Sequence, residues 1–139
     1  MYPVTKREGV FQIMLGQVML VGAGGFLGSV FRFVLSGVVH RSFPMSEFPF
    51  GTLVVNILGC LCIGLLHGLA ETRQVVGPEL RLFLMIGLLG GFTTFSTFGY
   101  ETMALLRDAE IFRAVGNVLL QVLCGLFAVW VGDTLGRIG

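Results

Sequence analysis

Charge is what this 139-residue chain has least of: 12% of its residues are charged, against about a quarter in ordinary water-soluble domains. Hydrophobic residues make up 55% and the mean hydropathy is +0.90. That balance excludes a soluble globular domain and places the chain in a bilayer. Acidic residues are missing where a cation or proton path would need them. None lies in the first apolar segment, and none lies between Leu82 and Tyr100. Cysteine is scarce and odd in number; Cys60, Cys62 and Cys124 lie within apolar segments, lack zinc-ligand spacing and read as small packing residues. No small-residue cleavage pattern follows a short apolar core, so the first segment is expected to be a retained span rather than a signal peptide. Four spans of about 20 residues fill the chain and leave no room for a soluble domain.

The gaps between charges mark the spans. They run at about 12–39, 51–70, 82–106 and 114–132, inside a single domain covering residues 1–139. The first is longer than a bilayer needs, so it tilts, kinks near Gly22 to Gly28, or begins as an interfacial turn. Pro44, Pro49 and Pro78 mark the short connections. A bias of Lys and Arg between alternate loops is also missing, and that bias is what normally sets orientation. Lys6, Arg7, Arg73, Arg81 and Arg137 stand on one side against Arg32, Arg41, Arg107 and Arg113 on the other. Without a signal the chain inserts both ways up, and oppositely oriented copies pair about a two-fold axis in the membrane plane.

What the chain has in quantity is glycine, 21 residues in all. Gly24 with Gly28, Gly64 with Gly68, and Gly132 with Gly136 are GxxxG pairs that let helix backbones approach closely. So much glycine exceeds what four helices alone need, and dimerisation is the expected outlet. The run Gly22 to Gly28 also reads as GxxGxxG with Glu47 about 20 residues on, but a dinucleotide turn requires a strand, a helix and a parallel sheet that this chain does not offer.

The third span carries Gly90-Gly91-Phe92-Thr93-Thr94-Phe95-Ser96-Thr97-Phe98, combining helix-poor glycines, hydroxyls and phenylalanines. This reads as a helix broken at membrane depth. Irregular backbone survives there only where protein, water or an ion satisfies it, so the break marks an ion or substrate site. Hydroxyls, peptide N–H groups and a helix N-terminus favour an anion. Phe95 and Phe98 share one helical face, where their positive ring edges meet a small anion or simply fill a core. Exposed carbonyls at the same break suit a cation acting as a structural plug. Asn56 in the second span either serves this site or clasps a neighbouring helix. Arg32, late in the first span, either snorkels or makes a pore mouth electropositive. Glu101 pairs with Arg32 or closes the third span. Asn117 and Gln121, at i and i+4, form one polar stripe that lines a path or joins helices. His67 lies on roughly the face of Asn56, near the interface, with no assigned role.

The order of Arg32, Gly51-Thr52-Leu53-Val54-Val55-Asn56 and GGFTTFSTF with Glu101 resembles the Fluc (CrcB) fluoride channels over nearly the whole chain. The resemblance implies an all-α integral membrane protein that works as an antiparallel, dual-topology homodimer. It implies passive export of fluoride across the inner (cytoplasmic) membrane, with no enzymatic activity. The expected partners are fluoride, membrane lipid and a second copy of the chain, with no nucleic acid. By the same resemblance Phe95, Phe98, Asn56, Ser96 and Thr97 line the ion path, Arg32 belongs to the vestibule, and Glu101 matches the family glutamate. Gly90 and Thr93 would offer carbonyls to a central sodium ion. Asn117 stands where several relatives carry another polar residue such as Tyr. Two rivals are a small multidrug-type proton-coupled exporter, which needs a carboxylate deep in a span, and a purely structural membrane subunit.

Overall fold

The computed structural model describes residues 4–73 and 77–138, with side chains from 11 to 72 and from 77 to 138. The charges of Lys6, Arg7 and Arg73 in the orientation count therefore lie outside the described side chains. The described chain is helical, with no strand among the described residues. We number the helices α1 (Val4–Ser42), α2 (Phe50–Arg73), α3 (residues 78–92), α4 (Phe95–Arg107) and α5 (Ile111–Ile138). Four stretches are long and apolar enough to cross a membrane: Phe11–Ser42, Phe50–Thr72, Pro78–Arg107 and Ile111–Ile138.

Helix α1 passes through Gly22 to Gly28 without a stop and includes the N-terminal segment from Val4. At 39 residues it is about 58 Å long, well beyond a hydrocarbon core of about 30 Å. The turn after it is closed by Phe43 N–H to the His40 carbonyl at 3.2 Å and Ser46 N–H to the Phe43 carbonyl at 3.1 Å. Pro49 immediately precedes α2, and its carbonyl accepts the Leu53 N–H at 3.1 Å. Pro78 opens α3, where its missing N–H costs nothing. Between α4 and α5, Ala109 takes φ 61°, and Glu110 N–H reaches back to the Leu105 carbonyl at 2.8 Å. That tight reversal lays α5 antiparallel to α4.

Two close helix crossings make the fold, α1 on α3 and α2 on α5. Both are built on glycine. A Cβ on Gly24 would stand 2.5 Å from the Phe83 carbonyl oxygen, and one on Gly28 would fall on the Leu88 carbonyl. From the other side, a Cβ on Gly91 would lie 2.5 Å from the Gly25 carbonyl oxygen. Gly64, Gly68, Gly132 and Gly136 form the matching contact between α2 and α5. The three GxxxG pairs are thus used within one chain. A Cβ at any of these six positions would fall within 3 Å of a backbone oxygen of the facing helix.

The core is thin: Leu53, Val55, Leu89, Leu105 and Ala128 are among the few buried apolar residues, while α1 and α5 expose most of their large side chains. Lipid is the natural solvent for such a surface. At the end of the α2–α5 crossing, Asp133 accepts from His67 at 2.9 Å and from Arg137 at 2.7 Å, and Glu71 pairs with Arg137 at 2.7 Å. His67, with no role assigned from sequence, belongs to this interfacial network.

Candidate functional site

The third span is interrupted, but not at its glycines. Gly90, Gly91 and Phe92 remain helical, and the departure is confined to Thr93 (φ −79°, ψ 159°) and Thr94 (φ −151°, ψ 111°). Residues Leu82–Leu89 before it are wound as a π-helix, a feature with no signal in the sequence pattern.

In an unbroken helix the Thr94 N–H would donate to the Gly90 carbonyl and the Thr97 N–H to the Thr93 carbonyl. Both donors are diverted. Thr94 N–H donates to Asn56 Oδ1 at 2.8 Å, and Thr97 N–H donates to Thr94 Oγ1 at 3.2 Å, capping α4. The carbonyls of Gly90 and Thr93 therefore lose their helical partners. Thr93 oxygen keeps only a long contact at 3.4 Å from Arg32 Nη1. Asn56 Nδ2 donates in return to the Thr94 carbonyl at 3.1 Å. The Asn56 side chain thus pairs with both backbone polar groups of Thr94, supplying the two bonds that hydrocarbon could not. Its second Nδ2 hydrogen goes to Gln121 Oε1, also at 3.1 Å.

Around this splint lies a second polar layer. Thr52 donates to Glu101 Oε1 at 2.7 Å, and Asn117 Nδ2 donates to Thr102 Oγ1 at 2.9 Å. Thr52, Thr94 and Asn117 are the buried polar residues. Glu101 Oε2, Asn117 Oδ1 and Gln121 Nε2 are enclosed without a hydrogen-bond partner.

Two cavities meet at Thr94. One, of about 540 Å³, is lined by Arg32, Thr52, Thr97 and Glu101 and rimmed by Phe43 and Phe48. The other, of about 380 Å³, is apolar and lined by Asn56, Gly90, Thr93, Phe95, Phe98 and Gln121. No carboxylate lines the second. Phe95 and Phe98 tilt against each other at 57° with centroids 5.4 Å apart, and Phe95 is 83% exposed.

Eight residues were expected along an ion path. Arg32, Thr97 and Glu101 come together in the first cavity; Asn56, Phe95 and Phe98 come together in the second. Ser96 and Asn117 line neither: Ser96 is exposed and 3.4 Å from the Thr94 hydroxyl, and Asn117 is buried behind Thr102. Gly90 and Thr93 sit together on the second cavity. Glu101 does not pair with Arg32. Its Oε1 is held by Thr52, and no ion pair joins it to Arg32 among the described residues. Thr94, Thr52 and Thr102 received no role from the sequence. Thr52 lies one helical turn before Asn56, a spacing that places both on one face and could have flagged it; nothing marked Thr102.

No group of three or more His, Cys, Asp or Glu side chains able to hold a metal occurs among the described residues. The oxygen atoms available to a hard cation are the released carbonyls of Gly90 and Thr93, neutral donors of the kind such ions take.

The geometry defines a four-span, all-helical membrane protein whose interrupted third span is braced by a half-buried amide between two cavities. Residues 19–133 match the family described as CrcB-like protein, Camphor Resistance (CrcB), and the chain belongs to that family. A protein of Methylobacillus flagellatus named "Fluoride-specific ion channel FluC" is 47% identical over 119 residues, covering 86% of this chain and 93% of the relative. "Fluoride-specific ion channel FluC 1" of Methanosarcina acetivorans is 46% identical over 115 residues, 83% of this chain and 86% of its own. The Clostridium perfringens protein named "Fluoride-specific ion channel FluC" is 40% identical over 120 residues, 86% and 93% of the two chains.

Proposed function

We propose that this protein is a fluoride-selective, passive ion channel that exports fluoride from the cytoplasm across the inner membrane. The observation that carries the reading is the two-residue break at Thr93 and Thr94, braced by Asn56 beside an exposed phenylalanine pair. The names of the relatives support it. Fluoride is small and strongly hydrated, so leaving water requires donors that replace its shell with little rearrangement. Arg32 draws the anion to the first cavity, hydroxyls of Thr94 and Thr97 receive it, and the ring edges of Phe95 and Phe98 continue the path. No carboxylate lies on the apolar side of the path, so no acid there couples protons to transport. The chain catalyses no reaction in this reading. Neutral hydrogen fluoride crosses lipid and ionises inside, and the channel lets the trapped anion leave down the membrane potential.

The working unit is an antiparallel, dual-topology homodimer. Phe95, Gly90 and Thr93 open onto a groove that a single chain leaves uncovered. A second, inverted copy covers it and adds its own pair of released carbonyls. The paired carbonyls would hold a structural sodium ion on the two-fold axis, whose charge also offsets that of passing anions.

Purified protein in vesicles tests the reading. With a potassium ionophore and no proton gradient, fluoride should leave. Exchange of a cationic drug for protons would instead identify a multidrug-type exporter, and vesicles tight to both would leave a structural subunit.

A further inference from the structure

The polarity of one residue's backbone is passed on through two side-chain amides. Extended Thr94 presents its own N–H and C=O side by side in a fixed order, so the Asn56 amide can pair with them in one orientation only, Oδ1 to N–H at 2.8 Å and Nδ2 to C=O at 3.1 Å. A flipped Asn56 would set donor on donor and acceptor on acceptor. With Asn56 fixed, its outer Nδ2 hydrogen accepts only an oxygen as partner, and Gln121 Oε1 supplies it at 3.1 Å. Gln121 is fixed in turn, with Nε2 left enclosed and unpaired. An orphaned buried N–H forfeits its hydrogen bonds to water without replacement, a net cost to stability. A site selected only for packing between helices would hold Leu or Met and avoid that cost.

We propose that Gln121 is a positioning residue for conduction: it uses the last free hydrogen of Asn56, and so locks the splint that keeps the helix break, and with it the path past Phe95 and Phe98, in register. The fourth span thereby sets the geometry of a break in the third. No N–H of Asn56 remains for an ion in this arrangement, so its part in conduction runs through the shape of the break. The inference rests on the channel reading for its flux readout, but the contact itself is testable without flux.

The chain has only two asparagines, Asn56 and Asn117, so full-length protein labelled with ¹⁵N-asparagine gives two pairs of side-chain amide signals. The Asn117→Ser variant assigns them. In Gln121→Met, one Asn56 amide proton should lose its acceptor, shifting and exchanging faster with solvent. Thermal stability should stay level or rise, and fluoride efflux from vesicles should fall roughly tenfold or more, the worth of one misplaced buried hydrogen-bonding group. Gln121→Leu serves the same purpose if the Met variant does not assemble. Unchanged Asn56 signals would overturn the proposal. So would moved signals with undiminished efflux, or a fall in efflux matched by a loss of thermal stability, which marks a packing role. Failure of the unaltered protein to release fluoride would sink the channel reading, leaving the amide signals to decide the contact alone.

Discussion

Replacing Asn56 by Asp changes one NH₂ group to oxygen at constant volume, so no cavity accompanies it. Two donated bonds disappear, to the Thr94 carbonyl and to Gln121 Oε1, both at 3.1 Å. In their place an oxygen faces two oxygens. Each lost bond with an acceptor left unpaired costs about 1–3 kcal/mol, or roughly 2–6 kcal/mol together. A protonated Asp recovers only one of the two. An ionised Asp adds repulsion of about 3 kcal/mol against an anion some 5 Å away at an effective dielectric constant of about 20. The protonated form, one bond short, should cut fluoride flux roughly 5- to 150-fold, and the ionised form by at least about a thousandfold. The assay is efflux from vesicles followed with a fluoride electrode, alongside size-exclusion chromatography to show that the protein still assembles. An assembled Asn56→Asp protein with unaltered flux would falsify the idea that the Asn56 splint shapes the path.

Three further outcomes are expected. Phe95→Ile should lower flux roughly tenfold while leaving the melting temperature of the single-chain fold unchanged, because Phe95 is exposed and supports no core; a parallel loss of both would point to a structural ring. Gly28→Ala drives a methyl into the Leu88 carbonyl and should destabilise the α1–α3 crossing by about 3 kcal/mol or more, whereas Gly37→Ala, with open space around it, should be neutral in the same thermal melt. Several lysines added to one terminus should force a single orientation and abolish flux; full activity from a population shown by cysteine labelling to be single-oriented would contradict the antiparallel dimer.

The spans were readable because a bilayer leaves few options: charges at Arg41, Glu71, Arg81 and Arg107 fall near the helix ends, and apolar runs fill the rest. The break was readable for a similar reason, since hydroxyls and glycines deep in an apolar run demand an explanation. The stretch Gly90 to Phe98 contained it but did not single out the two departing residues, Thr93 and Thr94. Glycines drew attention to Gly90 and Gly91, yet these stay helical, Gly91 packed against Gly25 of α1, and the actual departure falls where Asn56 can replace the lost bonds. That choice depends on a contact across 38 positions, which local pattern does not encode. The π-helix at Leu82–Leu89 was invisible because its residues are uniformly apolar. GxxxG spacing reported close approach faithfully but not the identity of the partner helix. Charge offered Arg32 as one of two roles for Glu101; the hydroxyl of Thr52 is its hydrogen-bond partner instead.

Current through the purified protein in a planar bilayer, with a fluoride gradient and equal chloride on both sides, tests the central claim most directly. A passive fluoride-selective pore predicts a reversal potential that follows the fluoride gradient at about 59 mV per tenfold ratio, as for any singly charged ion. A reversal potential that stays at zero, or that follows an imposed pH gradient instead, would contradict it.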